Sequence, residues 1–228
     1  MLHTRDIRVS YGMSEVIHGL SFGVGNNETL AIMGRNGMGK TTLFKALIGI
    51  LPASGTIQFG TEEIIRRQPF ERVKRGLAYV PQGRLVFGTL SVEENISAGL
   101  EATGRRSVPT DIYDLFPVLH DMRRRKAGNL SGGQQQQLAI ARALATDPKV
   151  LLLDEPTEGI QPSIIKDLAR TLNEIKRIRK ISIVVSEQVL SFASDIADRM
   201  IVLDKGHIAF ETAGDEIDAA RISRHLTV

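Results

Sequence analysis

The chain has no cysteine and no tryptophan among its 228 residues, and only 5% of them are aromatic. Without cysteine there is no disulfide, no thiolate metal site and no thiol nucleophile, which is compatible with a reducing compartment. No apolar run approaches the ~20 residues that a membrane-spanning helix needs. The start, Met1-Leu2-His3-Thr4-Arg5-Asp6, lacks the apolar core of a secretion signal. A cytoplasmic chain is therefore expected, with any role at a membrane peripheral. The formal charge of +3 is too small to argue for a nucleic-acid partner. At 42% hydrophobic and 24% charged, the composition is ordinary for a globular chain with a substantial core.

Against that plain background one stretch stands out. Gly34-Arg35-Asn36-Gly37-Met38-Gly39-Lys40-Thr41 follows a hydrophobic strand at 29–33 and opens a helix expected over 42–48, beginning at Thr42. Glycines at this spacing let backbone N–H groups turn inward on the phosphates of a nucleotide. The helix N-terminus adds its positive end, Lys40 reaches the β- and γ-phosphates, and Thr41 offers a hydroxyl to Mg²⁺. A Gly-rich turn with a chance lysine would not need a strand before it and a helix after it. The chain is expected to bind a nucleoside triphosphate.

The flanking pattern is α/β. Alternating segments at 7–11, 16–22 and 55–60 read as antiparallel strands, and 77–80 as a short buried strand ending at Pro81-Gln82. From 91 to about 145 the pattern turns helical, with short helices at 93–100 and 112–116 and a longer one at 132–144. Val150-Leu151-Leu152-Leu153 is continuously apolar, as in a parallel strand covered on both faces. A helix starting at Pro162 carries Ile164, Ile165, Leu168, Leu172, Ile175 and Ile178 at helical spacing. A buried strand at 181–185 and a hairpin at 200–203 and 207–210, turning at Lys205-Gly206, complete the pattern.

Two further elements carry chemistry. Asp154 and Glu155 end the apolar strand, where α/β sheets place ligand groups. Opposite a phosphate loop, one carboxylate can hold Mg²⁺ and the other can orient or deprotonate the attacking water. Leu130-Ser131-Gly132-Gly133-Gln134 places a serine and two glycines at a second helix start, a second anion-binding N-terminus. Two such sites for one nucleotide point to a dimer in which each chain's second site covers the other's nucleotide.

In this order the motifs resemble the ATP-binding subunit of an ABC transporter, over the whole chain. The resemblance adds Tyr79-Val80-Pro81-Gln82 as the Q-loop, Leu130–Gln134 as the signature and Val150–Glu155 as Walker B. It implies a P-loop NTPase (RecA-like) core with an N-terminal antiparallel β subdomain, over 1–87 and 148–228, and an inserted α-helical subdomain over 88–147. It implies ATP and Mg²⁺ as ligands, with Tyr11 stacking on adenine and Gln82 sensing Mg²⁺ and the membrane partner. Glu155 becomes the general base, and Ser131 and Gly133 contact the γ-phosphate bound by the opposite chain. Implied partners are membrane permease subunits, a second cassette in a homodimer or heterodimer and, indirectly, a solute-binding protein. The implied location is the inner face of the cell membrane.

Two positions depart from the family pattern. Gln188, in Ser186-Glu187-Gln188, stands where the family usually has a histidine, and 158–161 reads Glu-Gly-Ile-Gln where its D-loop often ends in aspartate. A glutamine still hydrogen-bonds a γ-phosphate but carries no charge. Gln188 is similar to the branched-chain amino-acid and amide branch of importers. The stretch 155–165 and the ending Arg224-His225-Leu226-Thr227-Val228 most resemble the urea-importer subunit of that branch. A soluble ABC-type ATPase acting on nucleic acid or ribosomes is the competing reading; such members usually carry two cassettes or a long coiled-coil arm. The basic run Arg123-Arg124-Arg125-Lys126 reads as a solvated surface or, secondarily, as a contact with a partner or anionic lipid. His18 is expected on a strand surface and not as a metal ligand.

Overall fold

The computed structural model describes residues 1–214 and 219–226; Thr227 and Val228, which end the stretch similar to the urea-importer subunit, lie outside them. The elements begin with β1 (Leu2–Tyr11), β2 (Ser14–Val24), β3 (Thr29–Met33), α1 (Lys40–Ile48), β4 (Ser54–Phe59) and β5 (Glu62–Glu63). Next come α2 (Pro69–Lys74), β6 (Leu77–Val80), α3 (Val92–Ser97), α4 (Thr110–Leu115), α5 (Pro117–Asp121) and α6 (Gly132–Leu144). The rest are β7 (Val150–Asp154), α7 (Pro162–Arg179), β8 (Ser182–Glu187), α8 (Leu190–Ile196), β9 (Arg199–Asp204), β10 (His207–Ala213) and α9 (Ala219–Leu226).

Every residue of β3, β7 and β8 is buried. Such strands need cover on both faces, and they lie adjacent in a six-stranded sheet of order β10-β9-β3-β8-β7-β6. Its pairings are parallel except for β10, which folds back on β9 through Lys205 and Gly206, both at positive φ. That is the turn geometry a two-residue hairpin favours. β2, β1, β4 and β5 form a separate antiparallel sheet in that order. Of these, β1, β2 and β4 alternate between buried and exposed residues.

Side-chain alternation divides the core in two. Ala31, Met33, Leu151, Leu153, Ile183, Val185, Met200 and Val202 point to one face, against apolar residues of α3, α6, α7 and α8. Leu30, Ile32, Val150, Leu152, Val184, Ile201 and Leu203 point to the other, against Leu43, Phe44 and Leu47 of α1 and the antiparallel sheet. A period of two in each strand thus sends successive residues into different cores. The helical segment shares its core with the large sheet.

Several local expectations shift. The helix after the phosphate loop starts at Lys40, two residues earlier than the pattern implies, so Lys40 and Thr41 lie in its first turn. The stretch at 93–100 is α3 followed by a 3₁₀ turn at Ala98–Ala102. α2, α5 and α8 are short helices that periodicity does not reveal. Ile178, expected on the apolar side of α7, is 47% exposed because the last turn of the helix runs past the core. The basic run at 123–126 is largely exposed, and the carbonyls of Arg123 and Arg125 accept from Glu93 and Val92 at the start of α3. His18 on β2 stacks on His207 of β10, with ring centroids 4.6 Å apart.

Candidate functional site

The loop between β3 and α1 turns on glycines. Gly37 and Gly39 have φ values of 81° and 100°, in the region that glycine enters without steric cost. A Cβ at Gly34 would stand 2.8 Å from the Leu203 carbonyl oxygen. Gly39 is the N-cap of α1 and supplies no side-chain cap, so no side chain of the cap residue competes for the N–H groups of the first turn. The far end of α1 is held by Arg72 of α2. Its guanidinium is buried and donates to the carbonyls of Ala46 at 2.8 Å and Leu47 at 2.7 Å. Burial without a carboxylate partner brings its pKa down to about 10.

Lys40 is buried at the base of the loop. Its Nζ donates to the carbonyls of Gly34 at 2.6 Å and Arg35 at 3.0 Å, and pairs with Glu155 Oε1 at 2.8 Å. The sequence gives both residues a role and says nothing of their contact. Glu155 has φ 46°, a left-handed conformation uncommon for a side chain of this kind, and follows the last residue of β7. Its N–H donates to Ser186, to both the carbonyl and the hydroxyl oxygen. Gln82 Nε2 stands 3.5 Å from its other oxygen. A cavity of about 300 Å³ is lined by Asn36, Gly37, Gly39, Lys40, Thr41, Thr42, Gln82, Glu155 and Val16.

Asp154 is held by three hydroxyls: Ser186 at 2.6 Å, Thr41 at 3.2 Å and Tyr79 at 3.1 Å. Burial raises its carboxyl pKa; the three hydrogen bonds pull the other way and the charge of Glu155 adds to the rise. Burial, with the Asp154 charge, also pushes the Tyr79 phenol up. Thr41 and Asp154 are hard oxygen donors held together, a set that suits Mg²⁺, which commonly takes one or two protein carboxylates and completes its shell with water and substrate phosphate. Among the described residues no group of three or more histidine, aspartate or glutamate side chains could hold a metal by itself.

The remaining candidates fall into four sets. Gln188 donates to Asn36 Oδ1 at 3.2 Å, tying the loop after β8 to the phosphate loop. Tyr11, at the end of β1, is 49% exposed and does not line the cavity. Met38 turns to the hairpin: its sulfur accepts from the Lys205 N–H and its carbonyl from the Gly206 N–H. Ser131, Gly132, Gly133 and Gln134 also stand outside the cavity, at the start of α6. There Gln134 N–H donates to Ser131 Oγ at 3.3 Å and Ser131 N–H to Gln134 Oε1 at 2.9 Å. Gln134, expected to contact nucleotide, thus has its side-chain oxygen engaged in a capping box.

Sequence reading passed over Ser186, Thr157 and Glu187. Glu187 is buried and accepts from the Thr157 N–H and hydroxyl and from the N–H groups of Gln188 and Val189. Burial raises its pKa against those four bonds. The signal was a charged residue ending a strand with an Ile183-Val184-Val185 core, much as Asp154 ends an apolar run.

This arrangement can grip phosphates, hold a divalent cation and present a carboxylate to a water. A family model for the ABC transporter matches residues 17–158. The chain belongs to the ABC transporter family. It is an ATP-binding cassette, an ATPase coupled to transport. The cassette is 36% identical over 218 residues to the high-affinity branched-chain amino acid transport ATP-binding protein BraG of Pseudomonas aeruginosa, covering 94% of this chain and 93% of the relative. It is 34% identical over 221 residues to a protein described as the probable branched-chain amino acid transport ATP-binding protein LivF of Archaeoglobus fulgidus, covering 95% and 94%. A solved nucleotide-free ATP-binding cassette from an ABC transporter superposes with a TM-score of 0.85 at 27% identity, covering 99% of this chain and 94% of that one.

Proposed function

We propose that this cassette powers an importer of the branched-chain amino-acid and amide branch, whose solute is a branched-chain amino acid, urea or a short amide. The names of the two full-length relatives support the amino-acid end of that range. The segment 155–165 carries the resemblance to urea importers. In this reading 1–87 and 148–228 form the nucleotide-binding core and 88–147 the signature lobe, on the inner face of the membrane against permease subunits. No helix among the described residues is long and apolar enough to cross a membrane. Full-length likeness to transport proteins favours this over a role on nucleic acid or ribosomes.

The observation that carries the mechanism is the 2.8 Å pair of Lys40 and Glu155. A γ-phosphate presented to Lys40 competes with Glu155 for the same ammonium. Binding of ATP thereby frees the carboxylate to take a proton from the attacking water. Thr41 and Asp154 would hold Mg²⁺, with Gln82 beside them, and the bound ion would supply positive charge against the phosphates. Tyr11 is exposed at the strand end, free to stack on adenine. Asn36, Gly37, Gly39 and Thr42 line the phosphate cavity, and Gln188 orders its rim through Asn36. Ser131 and Gly133 serve the nucleotide of a second cassette, because the signature lies outside the cavity of its own chain.

Glu155→Gln tests this. Turnover is expected to fall by about 10²–10⁴-fold, the usual worth of a general base. ATP affinity is expected to rise, because the amide no longer competes for Lys40, and the variant is expected to accumulate as an ATP-bound dimer in size exclusion. Phosphate release at the wild-type rate would remove Glu155 from the chemistry.

A further inference from the structure

Residues 83–85 form the most strained stretch of backbone near the site. Arg84 and Leu85 stand side by side at φ 69° and 45°, and neither is glycine. Consecutive left-handed residues persist only where surrounding contacts over-determine them. The contacts come from the helical segment. Arg142 of α6 donates to the Leu85 carbonyl at 2.9 Å and the Arg84 carbonyl at 3.4 Å, and its guanidinium lies 4.9 Å from the centre of the Phe87 ring. Asn95 of α3, fully buried, clasps the Phe87 backbone from both sides: Phe87 N–H donates to Oδ1 at 2.8 Å and Nδ2 donates to the Phe87 carbonyl at 3.0 Å. The loop after Gln82 is thus fastened to the helical segment.

The Arg84 side chain points the other way. It donates to the carbonyls of Glu158 at 2.7 Å and Gly159 at 3.3 Å, in the turn that follows Glu155. Its guanidinium also lies over the start of α6, where a Cβ at Gly132 would meet it at 3.4 Å. One planar fork therefore touches the turn beyond the base and the first residue of the signature helix. Its Nε is buried without a hydrogen-bond partner.

We propose that Arg84 is a positioning residue that sets the turn at 158–159 and the signature start at Gly132 in one register, so that the two enter the composite ATP site together. This rests on the composite-site reading above. Leu85 and Phe87 are exposed apolar residues on the outer side of the same loop.

Arg84→Gly separates the clamp from the fold, because glycine accepts φ 69° at no steric cost while removing the fork. The purified chain is compared with Arg84→Gly, Arg84→Lys and Ser131→Arg. The measurements are steady-state phosphate release, ATP titration, thermal melting, and ATP-dependent dimerisation in the Glu155→Gln background. Arg84→Gly is expected to lose about tenfold in kcat and most of its dimerisation, the scale of a lost charge-assisted hydrogen bond. Its ATP affinity is expected to stay within about twofold and its melting temperature at or above that of the wild type, since the phosphate loop is untouched and backbone strain is relieved. Arg84→Lys is expected to fall between, an ammonium keeping the charge without the planar group that lies over Gly132. Wild-type kcat in Arg84→Gly, or a loss confined to ATP affinity, overturns the proposal. Ser131→Arg tells the two readings apart. If it fails to dimerise while Arg84→Gly dimerises normally, the clamp alone is wrong; if it dimerises normally, the composite site is wrong and the clamp falls with it.

Discussion

The two glycine-bearing helix starts of this cassette, at α1 and α6, are built differently. α1 has a glycine N-cap that offers no side chain, and a buried lysine one residue later supplies the charge. α6 has its first turn closed by a reciprocal box between Ser131 and Gln134. The uncapped start leaves its N–H groups for a ligand and costs the isolated helix stability. The capped start is stable by itself. The box satisfies the Gln134 N–H internally, and what remains to offer outward is the Ser131 hydroxyl proton, since the cap uses that oxygen as an acceptor, with the N–H groups of Gly132 and Gly133. In the proposed composite site, the first end binds a polyphosphate alone and the second adds a small number of donors to a phosphate held by another cassette.

The largest effect expected from breaking this contrast is at Lys40. Lys40→Ala removes the only charge in the α1 start and leaves Glu155 buried without its cation. ATP affinity is expected to drop at least about tenfold in a nucleotide titration, and phosphate release to disappear. Unchanged binding would mean that backbone amides alone hold the phosphates.

A smaller effect sharpens the contrast at α6. Ser131→Ala and Gln134→Ala each break the capping box, and each is expected to cost about 1 kcal/mol by thermal melting. Only Ser131→Ala removes the outward hydroxyl. It alone is expected to weaken ATP-dependent dimerisation, measured by light scattering, while both variants bind ATP like the wild type. Equal dimerisation by the two would show that the cap is the whole purpose of the serine.

The smallest effect concerns the rim of the α1 site. Gln188 reaches Asn36 at 3.2 Å and has no charge to lose. Gln188→His introduces a group with an unperturbed pKa of ~6.5. Below that value the ring is cationic and attracts phosphate; above it the ring is neutral, as the amide is. Phosphate release by the variant is expected to vary between about pH 6 and 7 where the wild type is flat. A flat profile in both would place the residue outside the reach of the phosphates.

Much of this molecule was legible in its chain. The strand at 29–33, the helix at 132–144 and the helix start at Pro162 were readable to the residue, because each is bounded by glycine, serine or proline with a fixed conformational meaning. The phosphate loop, Asp154 and Glu155 were readable because their chemistry depends on local spacing along one strand–loop–helix unit. Short helices such as α2, α5 and α8 were not, since five to seven residues hold too few turns to show a period.

Tertiary structure alone decided which charges meet. Lys40 and Glu155 are 115 positions apart in the chain and 2.8 Å apart in space, and neither residue's neighbours announce the other. Glu187 could have faced solvent at its strand end; the turn carrying Thr157 makes it a buried acceptor of four bonds. No motif in the chain marks Arg84, and its grip on Glu158 and Gly159 exists only because the sheet sets β6 beside β7. Local sequence determines backbone conformation and hydrophobic pattern through interactions a few residues long. The partners of a buried charge depend on which strands lie side by side, and that is settled by packing the whole sheet between its two cores.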